Sequence, residues 1–390
     1  MTLKQKNILR GICMTLLCIG AVYFLFIVAS FISVLCAMSD ETAYWTQWQK
    51  EHIAALESSY ASGEAPKVDE SVFCGFDLEQ ATADGVSLAD LRFLATHNSY
   101  KQGTTKQTDI FYNYALPVML GKKYDYVFDT LTEQFNHGIR SIEIDLGKVE
   151  SDDGFSVNVY HNALTETGSS MIDFELGLHE MKMWSDYNPG HLPVTVLVEL
   201  KGGSFGKYAD FDEEAMLYVD ETLREVFGES LYTPAEALEG HSSFAELRES
   251  GDLPTLEETR GKFIFLLHET SVTDTYVGID PEMRSQAMFL ALTVKREKYR
   301  SPEWLDNALY VIINNAAEKS YGKMIEDALS ENFIVRTRLD EFALISDKRF
   351  DAAMKSGAQI LSTDYPPATE DRYGYTADIG GGKTVLLRTR

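Results

Sequence analysis

Two histidines each close a short apolar run, His97 in Thr96-His97-Asn98-Ser99-Tyr100 and His161 in Tyr160-His161-Asn162. Two further runs carry carboxylates, Glu143-Ile144-Asp145 and Val198-Glu199-Leu200-Lys201. Imidazoles near their ordinary pKa serve as general acids and bases. In a strand, alternate side chains point the same way, so Glu143 and Asp145 share one face of the run 141–146 and Glu199 and Lys201 share one face of 194–201. His161 shares a face with Val157 and Val159. His97 and Asn98 are neighbours and would point apart in a regular strand, so Asn98 joins the group only where the strand ends and the chain turns. Three carboxylates gathered in one opening repel each other and raise each other's pKa, a conflict that a hard cation resolves. Oxygen ligands from Asn98, Glu143, Asp145 and Glu199 suit Ca2+, with six to eight positions, better than Zn2+, which favours nitrogen or sulfur. One glutamate at a strand end is ordinarily solvated or ion-paired. Four such strand ends together make the case for a site. His137, His179, His191, His241 and His268 lack that pattern and read as core or surface residues, His268 being the one that follows a strand.

The elements that must hold these groups recur along the chain. Apolar, β-rich runs at 92–96, 141–146, 156–160, 194–200, 262–267, 309–314, 333–337 and 359–362 are separated by stretches long enough for helices, among them 211–227 and 340–357. Eight such runs match a closed parallel (β/α)8 barrel, in which chemistry collects at the C-terminal strand ends. The segment 280–298 reads as a longer connection between strands.

Ahead of this region, residues 12–38 carry no charge and are long enough to cross about 30 Å of hydrocarbon as a helix. That length exceeds a cleaved signal's apolar region of about 7–15 residues. Lys4, Lys6 and Arg10 precede the stretch and Asp40 and Glu41 follow it, which puts residues 1–11 in the cytoplasm and the large domain on the extracytoplasmic side. Residues 39–83 are polar and acidic and read as a stalk, 84–367 as the barrel and 368–390 as a tail. Of four cysteines, Cys13, Cys18 and Cys36 lie in the apolar stretch and Cys74 stands alone beyond it, so no disulfide forms within the domain. With 60 acidic against 35 basic residues, the formal charge of −25 argues against a nucleic-acid partner.

Together, 96–100, 142–145, 160–162, 198–201 and Ser362-Thr363-Asp364-Tyr365-Pro366 resemble the calcium-dependent phosphatidylinositol-specific phospholipases C, over about 270 residues. The resemblance implies cleavage of phosphatidylinositol to diacylglycerol and inositol 1,2-cyclic phosphate. It gives His97 and His161 as the acid/base pair, His97 supporting the phosphoryl group and His161 protonating the departing glycerol oxygen. It also implies calcium on Asn98, Glu143, Asp145 and Glu199, with Glu143 or Asp145 taking the proton of the attacking hydroxyl. Lys201 and Arg338, the latter in Thr337-Arg338-Leu339-Asp340, become substrate-binding residues. Membrane proximity falls to the N-terminal helix, since no lipid-binding module fits the remaining length. A glycerophosphodiester phosphodiesterase uses a similar barrel, but that family begins with His-Arg-Gly where His97 precedes Asn98-Ser99. A catalytically silent, ligand-binding barrel is the other alternative.

Overall fold

In a computed structural model, which describes residues 2–103, 105–115, 126–162, 166, 168–202, 209–341, 345–367 and 374–388, the β-branched and aromatic runs form a closed sheet. Its parallel strands are Leu91–Thr96 (β1), Ser141–Ser151 (β2), Val194–Lys201 (β3), Phe263–His268 (β4), Phe289–Lys295 (β5), Ala308–Ile312 (β6), Ile334–Arg338 (β7) and Ile360–Thr363 (β8). Each pairs with the next, and β8 returns to β1 with Phe93 opposite Ile360 and Thr96 opposite Thr363, so the barrel has no open edge. The strands are buried on both faces and read as near-continuous apolar runs, as a sheet covered by helices requires.

One of the expected strands changes place, and one barrel strand lies where none was expected. The run 156–160 is not a barrel strand. Gly154–Val159 folds back antiparallel on the outer half of β2, with Ser151 opposite Gly154 and Leu146 opposite Val159. Asp152-Asp153 makes the two-residue turn, and Gly154, at φ 129°, supplies a backbone that other residues rarely adopt. The missing barrel strand is β5, inside the segment expected to be a connection. Met288 to Leu292 are essentially fully buried, and a short apolar run of this kind suits a buried strand and a buried helix equally by periodicity.

The N-terminal helix, Leu3–Ser62 (α1), is unbroken and spans about 90 Å. Its most apolar 18-residue window has mean hydropathy 2.6, and none of that window is buried against the rest of the protein. The residues expected to form a stalk are packed. α1 lies along the helix Phe174–Tyr187 (α2), after which Cys74, Leu78 and Ala81 join the main core and Glu70 pairs with fully buried Arg140. The polar composition of this stretch belongs to the outer face of a docked helix, where one stripe of contacts suffices to hold it. α2 is capped by Asp173, which accepts from the Leu176 amide, and buries Phe174, Leu178, Met181 and Trp184 at helical spacing. In the tail, whose expected start at 368 lies outside the described residues, Val385–Leu387 pairs antiparallel with the lower half of β1, and β2 meets β1 higher up at Ala95 and Ser141.

Candidate active site at the barrel mouth

The period of two in β2 and β3 puts Glu143, Asp145, Glu199 and Lys201 on the interior side, and register sets Asp145 beside Glu199. Lys201 Nζ lies 3.0 Å from both Asp145 Oδ2 and Glu199 Oε1. Across the barrel, Arg336 of β7 donates to Glu143 and to the Ser362 hydroxyl. The carboxylates therefore carry protein counter-charges, and two basic side chains, Lys201 and Arg336, share in relieving the repulsion that the sequence assigned to a hard cation. Burial pushes the Glu143 carboxyl up, but Arg336, His97 and His268 together outweigh it and leave Glu143 below the ordinary range. For Asp145 burial wins over Lys201 and the group titrates above its ordinary value. Glu199 also feels burial, yet the nearby His268 ring and the charge of Lys201 hold it well below the usual range.

His97 follows β1 and is buried. Its Nδ1 stands 2.8 Å from Asp364 Oδ1, 3.0 Å from Arg338 Nη2 and 3.3 Å from the Tyr126 hydroxyl. Arg338 Nη2 donates to Asp364 as well, so we assign the shortest contact, to Asp364, as the one that sets the tautomer, with the proton on Nδ1 and Nε2 as the basic nitrogen. Burial, then the Arg338 charge, lower the His97 pKa, so the ring is neutral at neutral pH. Arg338, expected to bind substrate, is only 4% exposed and is bound to Asp364 Oδ1 at 3.2 Å, beside His97. His161 repeats the theme, with Nδ1 2.5 Å from Glu166 Oε2. Glu166 Oε1 in turn takes Lys101 Nζ at 2.5 Å, and that ammonium lies 3.9 Å from the centre of the Tyr126 ring. Burial raises Glu166, but Lys101 and His161 together bring it below its ordinary value. A continuous chain, His97–Tyr126–Lys101–Glu166–His161, thus joins the two imidazoles across one opening.

Asn98 has a left-handed backbone, φ 51°, a conformation that Asn tolerates better than most residues, and β1 has ended at Thr96. Its amide nitrogen donates to the Tyr126 hydroxyl at 2.9 Å, on the His97 side of the mouth. Ligand atoms of Glu143, Glu199 and His268 lie within 4.8 Å of one another, and Asp145 Oδ1 is buried with no hydrogen-bond partner. His268, read from the sequence as ordinary, ends β4 with Nδ1 3.5 Å from Glu199 Oε2. A buried orphan oxygen beside two carboxylates and an imidazole fits a divalent cation.

Arg336, Asp364, Glu166, Lys101, Tyr126 and His268 are the groups that sequence reasoning passed over. Arg336 was within reach, two residues before Arg338 on the same strand face. Asp364 stands in the strand-end run 362–366, and His268 ends an apolar run. Nothing local marks Glu166.

A family model described as phosphoinositide phospholipase C, Ca2+-dependent, matches residues 150–388. The solved calcium-dependent phosphoinositol-specific phospholipase C of a Gram-negative bacterium, Pseudomonas sp., is 17% identical, with 77% of this chain and 95% of that one covered and a TM-score of 0.54. The Ca2+-dependent phosphatidylinositol-specific phospholipase C of Streptomyces antibioticus is 18% identical, covers 77% of this chain and 99% of its own, and has a TM-score of 0.55. These likenesses establish the PLC-like barrel fold. No curated protein matches the chain in sequence.

Proposed function

The chain belongs to the calcium-dependent phosphoinositide phospholipase C family and is homologous to phosphoric diester hydrolases acting on phosphoinositides, and from that premise we propose that it cleaves phosphatidylinositol to diacylglycerol and inositol 1,2-cyclic phosphate with His97 and His161 as the acid/base pair. The observation that carries this reading is the pair of imidazoles, each bound through Nδ1 to its own buried carboxylate, flanking one group of acidic residues.

In the proposed reaction the inositol 2-hydroxyl attacks phosphorus in line and the bond from phosphorus to the glycerol oxygen breaks. His97, neutral with its proton on Nδ1, accepts the hydroxyl proton at Nε2. We assign the hydroxyl proton to His97, which would also support the phosphoryl group, rather than to Glu143, which is pinned by Arg336, or Asp145, which is paired with Lys201. His161, oriented by Glu166, delivers a proton from Nε2 to the leaving oxygen. Lys201 faces the phosphoryl oxygens from between Asp145 and Glu199, and Arg338 holds Asp364 against His97. Asn98, Glu143, Asp145 and Glu199, with His268 beside them, are the proposed calcium ligands; a bound Ca2+ would acidify the attacking hydroxyl and offset charge on phosphorus.

With this goes a membrane anchor at 12–38, residues 1–11 in the cytoplasm, and the barrel on the extracytoplasmic side. The support is that α1 continues unbroken from the apolar stretch into helix that is docked on the barrel, with no break in the helix between them. The test is the full chain in vesicles containing phosphatidylinositol, with phosphorus NMR following the product. Cyclic phosphate that needs Ca2+ is the expected outcome. Cleavage of glycerophosphoinositol with the intact lipid untouched would instead place the chain with glycerophosphodiester phosphodiesterases.

A further inference from the structure

The direction of α1 over the barrel locates the bilayer. In a βα unit the helix runs back against the strands, so Asp173, the N-cap of α2, marks the mouth end and Tyr187 the far end. α1 meets α2 in the same order. Gln49 Nε2 donates to the Asp173 carbonyl at 3.0 Å while its Oε1 accepts from the Asp173 amide at 2.8 Å. His52 Nε2 lies 3.4 Å from Glu180 Oε1, and the rings of Tyr60 and Tyr187 are 4.8 Å apart. The helices are therefore parallel, and the part of α1 before Gln49 leaves the protein on its mouth side.

Along that departing part the mouth loops follow it. Gly168, two residues after Glu166, packs so closely that a Cβ there would lie 3.2 Å from Glu41 Oε1 and 3.4 Å from Trp45 Nε1. Asp40 and Glu41 are the first charges after the apolar stretch, so this loop sits at the level where the helix meets water. Nearer the N-terminus, Val34 and Met38 are buried against Phe111 and Ala115, and the rings of Phe31 and Phe111 are 5.6 Å apart. At 1.5 Å per residue, Val34 and Phe31 lie about 10 to 15 Å beyond Glu41. Hydrocarbon of about 30 Å takes about 20 residues, which counted from Ile12 ends near Phe31. Phe111–Ala115 then runs beside the last turns of the span. The Tyr23 hydroxyl donates to the Ala115 carbonyl at 2.8 Å, which satisfies a backbone group that water does not reach at that depth. Ile110 and Tyr114 point outward, 45% and 69% exposed. An acidic domain gains nothing from an anionic surface by charge, so its hold on lipid must be apolar.

We propose that Lys106–Ala115 is an interfacial insertion, laid against the anchor helix, that holds the barrel mouth on the bilayer in which that helix is embedded, so that the chain takes phospholipid from its own bilayer. This rests on the anchor and phospholipase readings above, and its test separates their failures. A Tyr114→Cys variant is labelled with an environment-sensitive fluorophore in a chain carrying Cys13→Ala, Cys18→Ala and Cys36→Ala. Cys74 stays unlabelled because it is buried and its thiol is pushed up to about 12. In vesicles the label is expected to be quenched by spin-labelled lipid and shielded from iodide. Access to iodide, or shielding from both quenchers as in a contact between two copies, overturns the insertion whether or not the chain is active, and extraction by alkaline carbonate removes the anchor itself. Cleavage of phosphatidylinositol in the chain's own vesicles is expected to exceed that in added protein-free vesicles at least tenfold. Ile110→Asp with Tyr114→Asp is expected to abolish that advantage and leave cleavage of a short-chain, micellar phosphatidylinositol unchanged. Equal rates on both vesicle populations refute the proposal, and no cleavage of either lipid form refutes the phospholipase reading on which it rests.

Discussion

Asp364→Asn removes one charge from the His97 support while keeping its shape. Asp364 is fully buried, with Oδ1 2.8 Å from His97 Nδ1 and 3.2 Å from Arg338 Nη2. A carboxylate accepts at both oxygens, whereas an amide can turn its NH2 toward Nδ1 and stabilise the opposite tautomer, with the proton on Nε2 where the base is needed. When an equivalent aspartate behind a catalytic histidine becomes asparagine in a serine protease, the loss is about 10,000-fold, or about 5 kcal/mol at 1.36 kcal/mol per decade. We expect kcat/KM to fall about 1,000- to 10,000-fold. Arg338 would keep Glu341, 3.9 Å away, but lose its main partner, and unpairing a buried charge costs about 3 kcal/mol. Stability must therefore be measured with activity, by urea unfolding of the full chain in detergent. A readout specific to His97 is the acid limb of the pH profile. Asp364 raises the His97 pKa, so its removal should move that limb to lower pH even as the rate falls. A folded variant with kcat/KM within tenfold of the parent and an unmoved acid limb would refute the base assignment.

His161→Ala is expected to lose about 100- to 10,000-fold in kcat, with the Ca2+-induced rise in melting temperature unchanged. Full activity would remove His161 from the mechanism. Chelation should abolish turnover, with Ca2+ restoring it better than Mg2+, and Glu199→Gln should shrink the melting-temperature shift that Ca2+ produces. Turnover indifferent to chelation would assign the cation's role to Lys201 and Arg336. Far from the mouth, Asp220 accepts from the Tyr276 hydroxyl at 2.8 Å and the Ala287 amide at 2.8 Å, and burial raises its pKa to about 6 from 3.8. Between those values the folded chain holds more protons than the unfolded one. Its contribution is thus fully present below about pH 4 and is lost as pH rises through 6, about 3 kcal/mol in all. Asp220→Asn should remove that part of the slope of stability against pH, and an unchanged slope would show that Asp220 is ionised throughout.

Local periodicity carries local information, and that is what the chain's sequence determined alone. β1, β2 and β3 were legible, and with them His97, Glu143, Asp145, Glu199 and Lys201, because alternation along a strand follows from covalent geometry whatever the strand packs against. The apolar stretch 12–38 was legible for the same reason. Which apolar run closes the barrel was not: 156–160 and 289–295 differ little in pattern, and only pairing decides between a hairpin arm on β2 and a strand between β4 and β6. Partner identity was equally out of reach. Arg336 meets Glu143 and Asp364 meets His97 across 193 and 267 residues of chain, since a closed barrel brings its late strands round to its early ones. The helix expected to serve as a stalk became a brace because Gln49 and Tyr60 find partners on α2, and no property of residues 39–83 taken alone specifies those contacts.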